Sequence, residues 1–461
     1  MAAFPRATAF AVVLTACSFG GSGPSTVPPS PTIGRPAVSQ VEVARTPADP
    51  DYTVRLRGDA TGRTWTGWEE VSFSNTDVDP LGRVWLRLWS NGLDGCDPMA
   101  ITISHPSSGS WGAPTTDCTA VPIDLHTPLA PGARTSLRFD LRIRVPARND
   151  RFGYAEGMTL LGTPLPTLAV HDDRGWHLDP FVSFGESFYS VVGRYRVTLD
   201  VRGDLATPTT GRQVGLTRDG GREIRTFAAD DVRDFAWAAG DFRLLQARAG
   251  DDLIRVWYRP EVVPPADARD MLRVARTSMA TYASVFGDYP YPEVDVVLTD
   301  FKRYGGMEYP QIVFANPEDR AVTHELAHQW WYGIVGDDEY AEPWLDESFA
   351  TWSMFLPLRP WRACDRYRWP SPTARITNDM SYWSEHAKEY GTIYGGGGCM
   401  LADLAHRFGL SRFEAILATY ANAHRFGIVR GGDFTAAVDR AASTQLPDLD
   451  MAAFWARWRV G

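Results

Sequence analysis

Two histidines, His324 and His328, lie four residues apart in the segment HELAHQWW. On an α-helix, residues i and i+4 project from the same face, so both imidazoles can bind one metal ion. Glu325, beside the first histidine, can reach a water on that ion without being a ligand itself. This H-E-x-x-H spacing therefore predicts a metal-activated water with a glutamate as its general base.

A third protein ligand is expected close by, so that the fourth position stays open for water. Glu347, in WLDESFATW, lies 19 residues after His328, which leaves room for a loop to bring a second helix alongside the first. Its neighbour Asp346 is the alternative ligand. Two histidines and a carboxylate favour one Zn²⁺, although the pentapeptide alone excludes no other divalent metal and also fits a helix with two surface histidines.

The secondary structure that the sequence predicts differs between the two halves of the chain. From about residue 41 to 201, the segments RVWLRLWSN, TSLRFDLRIRVP and GRYRVTLDVRG alternate apolar and polar residues, as half-buried strands do. This pattern predicts an all-β region, built as a sandwich or a curved sheet.

After about Gly211 the pattern changes. Residues 264–287 place apolar side chains on one face of a predicted helix, and short buried strands are predicted at Val294–Asp300 and Gln311–Asn316. Helical patterns dominate after Thr351. The apolar residues on the face of the first helix are Met271, Ala275, Met279, Tyr282 and Phe286.

The N-terminal sequence is typical of a leader peptide for export. Ala7–Ala16 is a short apolar stretch behind Arg6, and it ends in LTAC, which resembles the lipobox of bacterial lipoproteins. On this interpretation residues 1–17 are a lipoprotein signal and Cys17 carries the lipid, anchoring the protein to the outer side of the cell membrane. The alternative is an ordinary secretory signal and a secreted protein. Residues 18–38, rich in Gly, Ser and Pro, are predicted to be a flexible linker.

The cysteine content supports export, and the net charge bears on the class of partner. A net charge of −10 over 461 residues excludes general nucleic-acid binding. Outside the cytoplasm, the four cysteines beyond Cys17 favour two disulfides, Cys96–Cys118 and Cys364–Cys399, although three pairings or four free thiols are open.

The segment HELAHQWW…WLDESFATW resembles the zinc signature of the aminopeptidase N family of gluzincin metallopeptidases. GGMEYP, Gly305–Pro310, resembles the exopeptidase motif of that family, and IYGGGGCMLADL, Ile393–Leu404, resembles the segment that carries its catalytic tyrosine. The resemblance covers roughly residue 232 to the C-terminus and reaches the β region more loosely.

The resemblance implies a multidomain β plus α/β protein. An N-terminal β-sandwich or saddle would occupy residues 39–208, and a thermolysin-like α+β zinc peptidase domain would occupy 209–461, with a helical subdomain from about 351. The expected activity is that of a zinc aminopeptidase acting on peptides.

Site residues carried over by position complete this prediction. Glu308 would bind the free α-amino group of the substrate, with Gly305, Gly306 and Met307 beside it as an edge strand that pairs with the peptide. Tyr394 would stabilise the oxyanion, with Tyr390 as its alternative. A second polar residue of the amine site is expected from the β region, where Glu186 is a guess.

The sequence departs from the family pattern in three ways that bear on the expected aminopeptidase activity. Tyr309 replaces the asparagine of the exopeptidase motif, and Gly396 and Gly398 replace lysine and alanine, which predicts a looser backbone. The chain also leaves no room for the large C-terminal helical domain of longer members. An open cleft would admit longer peptides, so a zinc endopeptidase or broad peptidase is the alternative, and a catalytically silent peptide-binding lipoprotein is a more distant one.

Overall fold

Residues 43–358, 364 and 367–461 are described by a computed structural model. The predicted lipoprotein signal, Cys17 and the predicted linker lie outside these described residues. The described part from Val43 to Gly461 forms one compact unit. Among its helices, none combines the length and the apolar character needed to cross a membrane.

The period-two segments of the first half form strands, as predicted. Their alternating side chains are buried on one side, as in β1, where every second residue from Tyr52 to Leu56 is buried. The strands are β1 (Ala48–Gly58), β2 (Thr64–Ser74), β3 (Leu81–Arg87), β4 (Ile101–Ser104), β5 (Gly109–Trp111), β6 (Ala120–Leu129), β7 (Arg134–Arg144), β8 (Phe152–Ala155), β9 (Met158–Leu161), β10 (Thr167–Leu168), β11 (His171–Asp172), β12 (Gly175–Trp176), β13 (Gly193–Arg202), β14 (Arg212–Asp219), β15 (Arg222–Val232) and β16 (Trp237–Gly240).

Seven of these strands form one sheet in the order β14-β15-β13-β1-β2-β7-β4, and β10-β3-β6-β5 form a second sheet. β1 and β13 are parallel, with Val54 opposite Val197. β14 and β15 form a hairpin whose turn, Gly220–Gly221, has positive φ at both residues and so favours glycine. The seven-stranded sheet thus includes strands beyond residue 209, and the predicted boundary at 208/209 stays a prediction.

A five-stranded sheet carries the second half. Its order is β17-β18-β19-β21-β20, with β18, β19 and β21 parallel and β20 antiparallel at the edge. The continuous apolar runs of the inner strands agree with burial on both faces. The strands are β17 (Arg243–Ala249), β18 (Asp252–Tyr258), β19 (Glu293–Leu298), β20 (Gly306–Tyr309) and β21 (Ile312–Ala315).

Helices pack beside this sheet and make up the C-terminal part. The predicted apolar face of the first helix is buried at all five positions, and Trp330 and Trp331 belong to the core. Short 3₁₀ turns lie at Trp89–Leu93 and Ala387–Glu389. The helices are α1 (Pro265–Phe286), α2 (Asp319–Ala327), α3 (Trp344–Ser353), α4 (Phe355–Leu358), α5 (Met380–Glu385), α6 (Gly391–Phe408), α7 (Leu410–Ala423), α8 (Gly431–Gln445) and α9 (Met451–Trp458).

Both preferred disulfides are confirmed. Cys96 pairs with Cys118 in the β region, and Cys364 pairs with Cys399 on α6. The predicted fold class, a β-rich N-terminal part followed by a mixed α+β part that ends in helices, is also confirmed.

Candidate active site

Helices α2 and α3 bring together His324, His328 and Glu347, which we call the triad. The Nε2 of His324 lies 3.0 Å from Oε2 of Glu347 and 3.2 Å from Nε2 of His328. The Nε2 of His328 lies 3.5 Å from the same carboxylate oxygen. Three donor atoms from two helices therefore face one common point.

These separations fit a zinc ion. Tetrahedral ligands at the usual Zn–N and Zn–O distances of about 2.0–2.1 Å are about 3.3 Å from one another. The observed separations of 3.0–3.5 Å lie around that value. The donor set, two imidazoles and one carboxylate, is also one that Zn²⁺ prefers.

The backbone fixes the tautomer of His328. Its Nδ1 lies 2.9 Å from the carbonyl oxygen of Trp331. Because a carbonyl only accepts, the proton is on Nδ1 and the lone pair of Nε2 points into the triad. The ring is thus oriented and electronically prepared as a metal ligand.

The carboxylate of Glu347 is held in its charged form. Burial acts to raise its pKa, but the hydrogen bond with His324 and the close contact with His328 outweigh burial and hold the pKa below its ordinary value. Asp346, the alternative ligand, accepts from the backbone N–H of Glu347 at 2.6 Å. It groups with His328 and Glu308 but not with His324, so the geometry favours Glu347 as the third ligand.

Glu325 is buried beside the triad, against the edge strand β20. A Cβ at Gly306 would lie 2.4 Å from the Cγ of Glu325, so only glycine lets strand and glutamate approach this closely. Burial raises the pKa of Glu325 to about 8, with His324 opposing and Glu347 adding to the shift. A buried carboxyl group beside the metal ligands is placed for general-base work.

A second group of carboxylates lies next to the triad. Glu308 extends from β20, Glu186 comes from the loop before β13, and one oxygen of each lies within 4.8 Å of the Glu347 carboxylate. Burial, followed by the charges of Glu186 and Glu325, raises the pKa of Glu308 well above its ordinary value. Burial also raises the pKa of Glu186 to about 7, against the opposing charge of Arg151. A cation placed among these carboxylates would stabilise their charged forms.

Not all of the predicted substrate-binding residues of the edge strand face the cleft. Glycines 305 and 306 and Glu308 line a cleft of about 450 Å³ in front of the triad. The side chain of Met307 is buried in an apolar cluster with Phe301 and Phe314. Contact with a substrate is therefore left to the main chain of Met307.

Tyr394 reaches the triad from α6. Its hydroxyl donates a hydrogen bond to Oε1 of Glu347. Burial, and then the charge of Glu347, raises the pKa of Tyr394 well above its ordinary value, so the phenol stays protonated and remains a donor. Tyr390 directs its hydroxyl at Gly185 instead, where a Cβ would lie 2.4 Å from that oxygen.

The glycine run 395–398 lies inside α6, and the expectation of a looser backbone is wrong. A Cβ at Gly397 would lie 1.8 Å from Oγ of Ser348 on α3, and that hydroxyl donates to the carbonyl of Ile393 at 2.7 Å. Gly397 lets α6 lie directly on α3. This close packing brings Tyr394 to Glu347.

Tyr309, in the position of the motif's asparagine, turns away from the cleft. Its side chain is buried, and a Cβ at Gly162 would lie 1.8 Å from its hydroxyl oxygen. Its carbonyl accepts from Nε2 of Gln329 at 3.0 Å, and Oε1 of Gln329 accepts from the N–H of Gln311 at 2.8 Å. Gln329, which directly follows the metal ligand His328, therefore connects the end of α2 to the turn between β20 and β21 by hydrogen bonds.

Sequence reasoning missed Gln329 and Arg151. Gln329 directly follows His328, and a polar residue at the buried end of the metal helix is a usable signal for a second layer of contacts. Arg151, which lies 3.1 Å from Glu186, has no such local signal. Its partners are brought to it only by the tertiary fold.

Part of the chain is similar in sequence to known peptidases. Residues 271–458 match the peptidase family M1 domain. Aminopeptidase M1-D of Oryza sativa subsp. japonica is 26% identical over 212 residues, 39% of this chain and 24% of that protein. Aminopeptidase N of Streptomyces lividans is 25% identical over 229 residues, 41% of this chain and 26% of that protein. The chain thus spans about a quarter of the length of these curated relatives.

Solved structures share the fold over nearly the whole chain. A mutant of a two-domain M1 zinc metallopeptidase bound to L-tryptophan superposes with a TM-score of 0.62 and 19% identity, covering 90% of this chain and 95% of that chain. A mutant M1 zinc metallopeptidase of Deinococcus radiodurans, bound to a Tyr-Ser-Ala substrate, gives a TM-score of 0.62 and 19% identity, covering 89% and 94%.

Proposed function

We propose that this chain, which belongs to the aminopeptidase N-like gluzincins through the peptidase family M1 domain at residues 271–458, is a zinc-dependent aminopeptidase that removes N-terminal residues from peptides. The observation that carries the proposal is the placement of Glu308 and Glu186 beside the triad. An ammonium group bound there holds the first peptide bond, and no later one, in front of the metal site.

His324, His328 and Glu347 would hold the Zn²⁺. When bound, this ion polarises the scissile carbonyl and lowers the pKa of a bound water to about 7. Glu325 accepts the proton of the attacking water and delivers it to the leaving amine, which its buried position and raised pKa favour. Its place against β20 also sets its distance to a peptide lying along that strand.

The edge strand and Tyr394 position the rest of the substrate. β20 has its outer edge open, so residues 305–308 can pair with an extended peptide by main-chain hydrogen bonds. Tyr394, neutral at physiological pH, turns its one hydroxyl proton from Glu347 to the oxyanion that forms at the scissile carbonyl. The solved relatives bound to L-tryptophan and to a Tyr-Ser-Ala substrate support substrates with a free α-amino group.

The open cleft favours one alternative, a zinc peptidase that also cleaves internal bonds. Comparing one short peptide with a free and an acetylated N-terminus tests this, with Glu325→Gln as the background. Cleavage of the free peptide alone, residue by residue from its start, is expected. Equal cleavage of both forms would leave the zinc chemistry in place and overturn the aminopeptidase assignment.

Export and lipid anchoring at Cys17 remain part of the proposal. The two disulfides support an oxidising compartment, where such bonds persist. Incorporation of a labelled fatty acid into the wild-type protein, lost in Cys17→Ser, is the expected result. Release of an unlabelled mature protein into the medium would favour the secreted form.

A further inference from the structure

Arg151 is a buried cation among the carboxylates of the site, with 3% of its surface exposed. Its Nη1 lies 3.1 Å from Oε1 of Glu186, and its Nη2 donates to the carbonyl of Gly185 at 3.2 Å. One guanidinium therefore holds both the side chain of Glu186 and the backbone before it. Among the described residues, no other cation forms an ion pair with Glu186.

The same residue holds the start of the edge strand. The backbone N–H of Arg151 donates to the hydroxyl of Tyr304 at 2.6 Å, and that hydroxyl donates to Asp150 at 2.7 Å. The guanidinium also lies 5.4 Å from the centre of the Tyr304 ring. Tyr304 immediately precedes the segment 305–308 that ends in Glu308.

These contacts join three segments that have no strand or helix of their own. Arg151, Glu186 and Tyr304 all lie in irregular backbone. The ladder between β20 and β21 fixes the position of Glu308, but no such ladder places Glu186. Arg151 supplies a fixed connection instead. Its guanidinium, a planar fork of N–H donors, contacts Glu186 and Gly185, and its backbone N–H contacts Tyr304.

We propose that Arg151 is a positioning residue that sets the spacing of Glu186 and Glu308 for the substrate's α-ammonium group. This inference rests on the proposed aminopeptidase function. Arg151 is no ligand for the ammonium, since like charges repel. Its effect passes through Glu186 and through Tyr304, so it acts on substrate binding and leaves the hydrolytic step to Glu325.

The test uses the full-length zinc enzyme with Arg151→Met, which keeps the stem and removes the fork. KM for a free-amine substrate should rise about tenfold or more, while kcat changes less than about threefold. Discrimination between the free and acetylated peptide should fall by about the same factor as KM rises. Arg151→Lys keeps the charge but not the planar fork, so it should recover only part of the lost binding.

Arg269→Met is the matched control for charge. Arg269 lies on α1, away from the residues that line the cleft, is exposed, and forms no ion pair with another described residue. The control should leave KM and the discrimination near their wild-type values. An equal effect of Arg269→Met and Arg151→Met would show a general charge effect and overturn the positioning role.

Other results separate this inference from the proposed function. If the wild type cleaves free and acetylated peptides equally, the aminopeptidase function falls and the inference falls with it. If the wild type discriminates and Arg151→Met discriminates as well, only the inference is overturned. If Arg151→Met does not fold, Arg151→Lys decides: raised KM at wild-type thermal stability supports the role, and unchanged KM overturns it.

Discussion

Tyr394 donates its hydroxyl hydrogen bond to Glu347, a residue 47 positions earlier in the chain. The contact joins α6 to α3 at the metal site. It also places a neutral donor beside the third metal ligand, on the side of the cleft. The oxyanion donor and the metal ligand are therefore parts of one hydrogen-bonded unit.

Replacing Tyr394 by Phe should lower kcat by about 10²–10³, the loss expected for one oxyanion donor. Tyr390→Phe is the matched control, because Tyr390 lies one helical turn earlier and points at Gly185. That variant should keep kcat within a few-fold of the wild type. Steady-state kinetics on a free dipeptide substrate check both, and the reverse ranking would transfer the role to Tyr390.

Glu325→Gln should abolish turnover and leave zinc bound. Glutamine keeps the shape of the side chain but cannot accept the proton, and the three ligand side chains are unchanged. Zinc content by elemental analysis near one ion per chain, with activity reduced by at least about 10³, is expected. Glu385→Gln, at an exposed position on α5, is the control for loss of one carboxylate. Activity near that of the wild type in Glu325→Gln would sink the general-base role.

Gly397→Ala should disrupt the site although it alters no polar group. The new Cβ would meet Oγ of Ser348 at 1.8 Å, so α6 must move away from α3. We expect a destabilisation of about 2 kcal/mol, in the range for overpacked cores, and a lower kcat because Tyr394 moves with the helix. Thermal or urea unfolding and kinetics measure the two effects.

Gly395→Ala is the control for that substitution. Its nearest contact would be an ordinary 3.5 Å from the Tyr367 ring, and alanine favours helix by up to about 1 kcal/mol. The variant should be as stable as the wild type or more so. Adding Ser348→Gly to Gly397→Ala should restore part of the lost stability. Equal stability of the two alanine variants would contradict the close packing of the helices.

Local patterns were enough to predict the elements that carry the triad. The spacing of His324 and His328, the distance to Glu347 and the apolar face of α1 are each properties of a short segment, and the structure has them as predicted. The looser backbone predicted for the glycine run is wrong, because a glycine-rich segment can form either a flexible backbone or a helix in close contact with another helix. Only the position of Ser348 on α3 distinguishes them.

Arg151 could not be predicted for a related reason. It contacts a carbonyl 34 residues away and a hydroxyl 153 residues away, and neither separation leaves a periodic pattern in the sequence. No sequence pattern points to Glu186, for the same reason. Its proximity to Glu308 arises where the β region meets the five-stranded sheet.

His177 links the β region to the segment that leads into α3. Its Nε2 lies 2.9 Å from Asp172 and its Nδ1 lies 3.0 Å from Asp338, with Asp179 and the ring of Tyr189 also close. Burial acts to lower the pKa of His177, but hydrogen bonds to Asp338 and Asp172 outweigh burial and raise it above its ordinary value. The folded protein therefore holds this proton more tightly than the unfolded chain does.

The stabilisation by His177 should accordingly be complete below about pH 6.5, the pKa of an unperturbed histidine, and should be lost as the pH rises through the raised pKa. His177→Gln should cost about 3 kcal/mol at pH 6, as for a broken buried ion pair, and less at pH 9. Unfolding of both proteins at saturating zinc isolates the difference from the triad. His105→Gln, in an exposed pair with Asp140, should show no such trend. A difference between wild type and His177→Gln that is constant from pH 6 to 9 would contradict a charged His177.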